Sequence, residues 1–75
     1  MEQYKNRSGE SGVVAFEIGR GSITVEFVGG ETYVYTDKSA GADNIAQMKR
    51  LAKDGAGLST FISQHAHDRY ERKLT

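Results

Sequence analysis

The sequence predicts an α+β fold, a three-stranded antiparallel β-meander followed by two α-helices packed on one face. Three observations carry that expectation. Apolar residues alternate with polar ones from Val13 to Thr36, glycine turns at Gly19-Arg20-Gly21 and Gly29-Gly30 interrupt the alternation, and the spacing becomes helical after Asp37-Lys38-Ser39.

The chain opens with a polar stretch, and Ser8-Gly9-Glu10-Ser11-Gly12 has the composition of a flexible linker. Residues 1–12 are therefore read as a flexible N-terminal tail and residues 13–75 as one small domain. In the first strand Val14, Phe16 and Ile18 fall on one face, Ala15 and Glu17 on the other. The second strand, Ser22 to Val28, turns Ile23, Val25 and Phe27 inward and Thr24 and Glu26 outward. Glu31 to Thr36 forms the third, rich in the Thr, Tyr and Val that suit a pleated surface.

The loop between the second and third strands decides where Tyr33 and Tyr35 point. A two-residue Gly29-Gly30 turn pairs Glu26 with Tyr33 and Thr24 with Tyr35, which puts both rings on the outer face. A three-residue Gly29-Gly30-Glu31 loop shifts the pairing by one and turns both rings into the core. The glycine pair favours the shorter turn. The expectation is thus that Tyr33 and Tyr35 form an exposed contact surface.

Helical spacing follows. Ile45, Met48, Leu51 and Ala52 share one side, with Gln47, Lys49, Arg50 and Lys53 around the other. Ser39 or Asp43 supplies an N-cap, and Gly55 the left-handed C-terminal stop. A second helix is expected to start at Ser59 as N-cap, with Leu58, Phe61, Ile62, Ala66 and Tyr70 as its stripe. Arg69, Arg72 and Lys73 would then complement the dipole at its C-terminal end.

Composition excludes several classes. Ten basic and ten acidic residues cancel, so the chain lacks the global field of a dedicated nucleic-acid binder. Without cysteine, neither a disulfide nor a thiolate metal site can reinforce a core this small. No apolar run approaches the roughly 18 residues of a membrane span. Met1-Glu2-Gln3-Tyr4-Lys5 has no apolar signal core. A small cytoplasmic bacterial or phage protein is expected, with no membrane association.

Chemistry is sparse. His65-Ala66-His67-Asp68 invites a metal reading, but residues two apart on a helix diverge by about 200° around its axis. His65 is instead expected beside the core stripe and His67 in solvent. Ser59 is explained as a cap, and the glycine pairs are too short for a phosphate-binding loop. No catalytic residue, metal or small-molecule cofactor is expected. Lys49, Arg50 and Lys53 on the first helix and Arg69, Arg72 and Lys73 on the second would form one electropositive patch if the helices lay side by side.

The ordered set Ile23-Thr24-Val25-Glu26-Phe27, Gly30, Tyr33-Val34-Tyr35, the helix from Met48 to Ala52, Gly57-Leu58-Ser59, Phe61-Ile62 and Tyr70 resembles the KTSC domain family. That family is named for its occurrence at the C-terminus of some lysyl-tRNA synthetases and also occurs as short stand-alone bacterial proteins. The likeness spans residues 11–70. It implies the same meander-then-helices fold, and through the synthetase context it suggests RNA binding. It implies no established activity.

The expected function is a small non-catalytic binding module for a protein partner or for self-association, since the meander's edges and half-covered face can recruit strands. The alternative is weak RNA binding through Tyr33 and Tyr35, where bases stack, together with Lys49, Lys53, Arg69 and Arg72.

Overall fold

The computed structural model of the chain describes residues 1–7, 9 and 11–75. Among the described residues it is an α+β fold with a five-stranded antiparallel sheet and three helices. Strands β1 (Glu2–Gln3), β2 (Val13–Gly19), β3 (Ser22–Phe27), β4 (Thr32–Thr36) and β5 (Arg72–Lys73) lie side by side in that order. Helices α1 (Asp37–Ala40), α2 (Ala42–Asp54) and α3 (Leu58–Phe61) fall between β4 and β5, and α3 runs on into a π-helical turn at Ile62–Ala66. No described helix is long and apolar enough to cross a membrane.

The expected meander is β2–β3–β4, but its edges are not free. β1 pairs with β2, and β5 pairs with β4. Two short strands thus cover the edges that the sequence left open for recruitment. The expected N-terminal tail is in part a structural arm. Glu2–Gln3 joins the sheet, Tyr4 lies in the core, and the Tyr4 hydroxyl accepts a hydrogen bond from the Leu58 N–H at 3.3 Å. Ser8 and Glu10 of that tail lie outside the described residues.

A β-bulge corrects the pattern expected for the first strand. Val13 pairs with Phe27, whereas Ala15 pairs with Glu26, so Val14 is the additional residue. The insertion moves Val13 into the core beside Phe16 and leaves Val14 exposed. β3 follows its expected alternation, with Ile23 and Val25 fully buried and Phe27 packed against the core.

The hairpin register differs from both sequence alternatives. Ile23 pairs with Tyr35 and Val25 with Tyr33, closed by a three-residue loop of Val28, Gly29 and Gly30. The Phe27 N–H donates to the Glu31 carbonyl at 2.8 Å, and the Gly30 N–H donates to the Phe27 carbonyl at 3.0 Å. Both glycines take positive φ, as their pairing led one to expect, yet Val28 joins the loop and is exposed. Residues directly opposed share a face, so both tyrosine rings turn toward the helices with Ile23 and Val25. The expected exposed register is therefore overturned: Tyr35 is 1% exposed and Tyr33 is half-buried. Val34 alternates to the other face of the sheet, between Thr24 and Arg72, and is buried there.

The helical segment forms in two pieces. Thr36, not Ser39 or Asp43, caps α1: its hydroxyl accepts from the Ser39 N–H, and the Ser39 hydroxyl accepts from the Thr36 N–H in return. Gly41 then opens α2, with Asp43 in the first turn where an anion suits the dipole. Ile45, Met48 and Ala52 are buried against the sheet, as their spacing predicts. Gly55 ends α2 at φ 77°, its N–H donating to Leu51 and Ala52 carbonyls.

The second helix is shorter than expected. Gly57 rather than Ser59 is its N-cap, and helical backbone stops at Ala66. Leu58, Ile62 and Ala66 are core, but Tyr70 lies beyond the helix and Arg72–Lys73 form β5. No cation cluster therefore completes a helix dipole there.

A candidate aromatic binding cleft

β3 and β4 place Phe27, Tyr33 and Tyr35 on the helix-facing side of the sheet, near its β5 edge. The C-terminal segment then crosses that edge. The Glu71 N–H donates to the Val34 carbonyl and the Leu74 N–H to the Thr32 carbonyl, both at 2.7 Å. The Thr36 hydroxyl donates to the Glu71 carboxylate at 2.9 Å, and the Thr75 hydroxyl donates to the Gly30 carbonyl at 2.7 Å. These bonds hold Tyr70 against Tyr33, with ring centroids 4.7 Å apart.

Between this segment, the sheet and the last helical turns lies a cleft of about 420 Å³. That is within the roughly 300–1,000 Å³ of small-ligand sites. Phe27, Glu31, Tyr33 and Tyr35 line it from the sheet. Ser59, Ile62 and Ser63 line it from the helix, and His67, Asp68 and Tyr70 from the segment that follows. The π-helical turn sits within that wall, where such irregular turns often mark functional positions.

The rings form a connected cluster. Phe27 meets Tyr33 edge to face at 5.8 Å, Tyr35 meets Tyr70 the same way at 6.4 Å, and Tyr33 and Tyr35 are 6.5 Å apart. Such arrangements match ring edges to the electron-rich faces of neighbours. The Lys73 ammonium lies 5.6 Å from the Tyr33 centroid and 3.3 Å from a Glu31 carboxylate oxygen. Its pKa is held above the ordinary lysine value, chiefly by the hydrogen bond to Glu31 and then by Tyr33.

Tyr35 is pushed up to about 12, first by burial and then by the neighbouring Tyr33 and Tyr70. Folding thus favours the neutral phenol. Its contribution is fully present below the unfolded value near 10 and is lost as pH rises through about 12. The loss is on the order of 2–3 kcal/mol, since a pKa displacement is a stability difference. Denaturant midpoints between pH 9 and 12 should therefore fall more steeply for the natural chain than for Tyr35→Phe. Parallel decline in both would reject the assignment.

The cleft brings together only two of the six expected contact residues, Tyr33 and Tyr35. None of the four cations lines it. Lys49 donates to the Gly19 carbonyl at 2.9 Å and so is tied to the β2–β3 turn, and Lys53 is exposed on α2. Arg69 is exposed in the bend after the π-helical turn. Arg72 pairs with Val34 and points to the face away from the helices. A single helix-borne patch is not formed.

Sequence reading missed Glu31, Ser63, Asp68 and Lys73 as neighbours of the tyrosines; His67 is exposed, as expected, and also lines the cleft. His65, expected beside the core, stacks on Phe61 at 4.7 Å while remaining exposed. Ser63, His67 and Asp68 put hydroxyl, imidazole and carboxylate on one wall. The described side-chain hydrogen bonds join none of the three to another, whereas nucleophilic catalysis uses such an orienting chain. No three His, Asp or Glu converge on a metal position among the described residues.

No family model, curated protein or solved structure matches this chain.

Proposed function

We propose that this domain is a non-catalytic, cytoplasmic protein-interaction module of the KTSC type, and that it engages its partner at the aromatic cleft. The carrying observation is the convergence of Phe27, Tyr33, Tyr35 and Tyr70 on a cavity open at the surface. Aromatic rings supply large contact area with few torsions to freeze, which is why they anchor protein interfaces. Tyr33 and Tyr70, only partly covered, act as the contacting rings, and Tyr35 as the floor beneath them. Self-association is the homotypic form of the same reading, with a second copy supplying the occupant.

RNA binding is weaker on two counts. Base stacking needs open ring faces, but Tyr35 is inside. Phosphate binding needs clustered cations, but Lys49 is engaged at a turn and Arg72 lies on the opposite sheet face. What supports it is the synthetase context of the resembling family and the partial exposure of Tyr33.

Solution mass together with capture of partners, with and without nuclease, separates these readings. The expected result is a partner, or a second copy, that survives nuclease and is lost with Tyr70→Ala. A single-stranded RNA mobility shift at low salt, abolished when Lys49, Lys53, Arg69 and Arg72 become Ala, would replace this reading with the RNA one.

A further inference from the structure

We propose that the cleft recognises an alkylammonium group, the end of a lysine side chain, free or methylated, presented by a protein segment. This rests on the protein-interaction reading and names the chemistry of its occupant.

The structure already sets one such group beside the cleft, against two of its lining residues. Lys73 sets its ammonium over the Tyr33 ring at 5.6 Å while pairing with Glu31 at 3.3 Å. An ammonium near an aromatic face is attracted by the ring's negative quadrupole, and Tyr33 is bordered by further rings of the same kind. The lining carries two carboxylates, Glu31 and Asp68, and neither lysine nor arginine. An anion would meet those carboxylates and electron-rich faces, both repulsive. A neutral apolar guest would gain nothing from the ring quadrupole or from either carboxylate. A cation satisfies rings and carboxylates at once.

Lys73 is suited to yield its place. It sits on a two-residue strand, and its side chain is 44% exposed. An incoming ammonium can take over the Tyr33 face and the Glu31 oxygen while Lys73 swings into water. The internal lysine is thus a built-in competitor that lowers affinity for the external one.

The test uses the full chain and amide NMR titration with three probes: Nα-acetyl-lysine N-methylamide, its Nε-trimethyl form, and the neutral norleucine counterpart. Shifts at Tyr33, Ser63, Asp68 and Tyr70 are expected with both cationic probes and not with norleucine. Lys73→Gln should tighten the cationic probes roughly two- to five-fold, the scale of one exposed cation–π contact. Tyr33→Leu should abolish their shifts, and should that variant unfold, the norleucine and Lys73→Gln arms still decide. Equal binding of the norleucine probe, or Lys73→Gln leaving affinity unchanged or lower, would overturn the ammonium assignment. So would an absence of cleft shifts in both the natural chain and Lys73→Gln. Partner capture lost with Tyr70→Ala would survive any of these failures, so the two readings fall separately.

Discussion

Tyr35→Ala is expected to cost the domain roughly 3–5 kcal/mol, the range for deleting a large buried aromatic side chain. Tyr35 is 1% exposed and lies in the cluster that joins the sheet to α2 and α3. Removing its ring would leave a void beneath Tyr33 and Tyr70, whose centroids stand 6.5 and 6.4 Å from it. A chain of 75 residues has about 4–11 kcal/mol of stability in total, at roughly 0.05–0.15 kcal/mol per residue. One substitution thus removes a large share, and the variant should unfold at much lower urea. Tyr33→Ala should cost visibly less, because that ring is only half-buried. Urea midpoints for the two variants check the order. A Tyr35→Ala loss below about 1 kcal/mol, on the scale of surface substitutions, would place the ring outside the core and restore the register rejected above.

That register marks the limit of what local pattern can decide. β3 and the inner stripe of α2 were legible because a period of two and a period of 3.6 each carry several residues of signal. Ile23 and Val25, and Ile45, Met48 and Ala52, all lie where their spacing predicts. The turn between β3 and β4 had only two glycines to speak for it, and they fit more than one loop length. The observed loop keeps both glycines at positive φ but takes in Val28 as well. The gain on the other side of the balance is two tyrosine rings turned toward a small core. Each large aromatic buries enough surface to outweigh a turn preference of a fraction of a kcal/mol. Val14 shows the same limit on a smaller scale, since one bulge residue reverses the face of everything before it.

The cleft was less legible than the fold. Two of its residues, Tyr33 and Tyr35, stood out as a motif, but their neighbours come from a part of the chain with no periodic signal. β1 and β5 are two residues each, too short for alternation to be counted. No glycine or proline follows Ala66, so nothing in the sequence stops the helix before Tyr70. The C-terminal segment leaves it nonetheless, because its backbone finds partners on the open edge of β4 at Thr32 and Val34. That pairing is non-local, and it is what delivers Tyr70 and Lys73 to Tyr33.

Gly55→Val is expected to destabilise the chain by roughly 2–5 kcal/mol, more than a left-handed cap alone explains. The first part is conformational: at φ 77° a β-branched residue meets the left-handed penalty of roughly 1–2 kcal/mol. The second part is contact. A Cβ built at Gly55 would stand 2.5 Å from the Lys5 Cβ and 3.4 Å from the Lys5 Cα. The N-terminal arm is fixed at that point, since the Arg7 N–H donates to the Gly55 carbonyl at 2.7 Å and Tyr4 is anchored in the core. It cannot retreat without loosening both, and overpacking of this kind costs roughly 1–3 kcal/mol. The two parts can be separated by measuring Gly55→Ala in the natural chain and in a Lys5→Gly background, where the opposing Cβ is absent. The cost should be larger in the natural chain, and the difference between the two backgrounds is the coupling between arm and cap. Equal costs would mean that Gly55 acts only as a helix stop and that the arm does not rest on it.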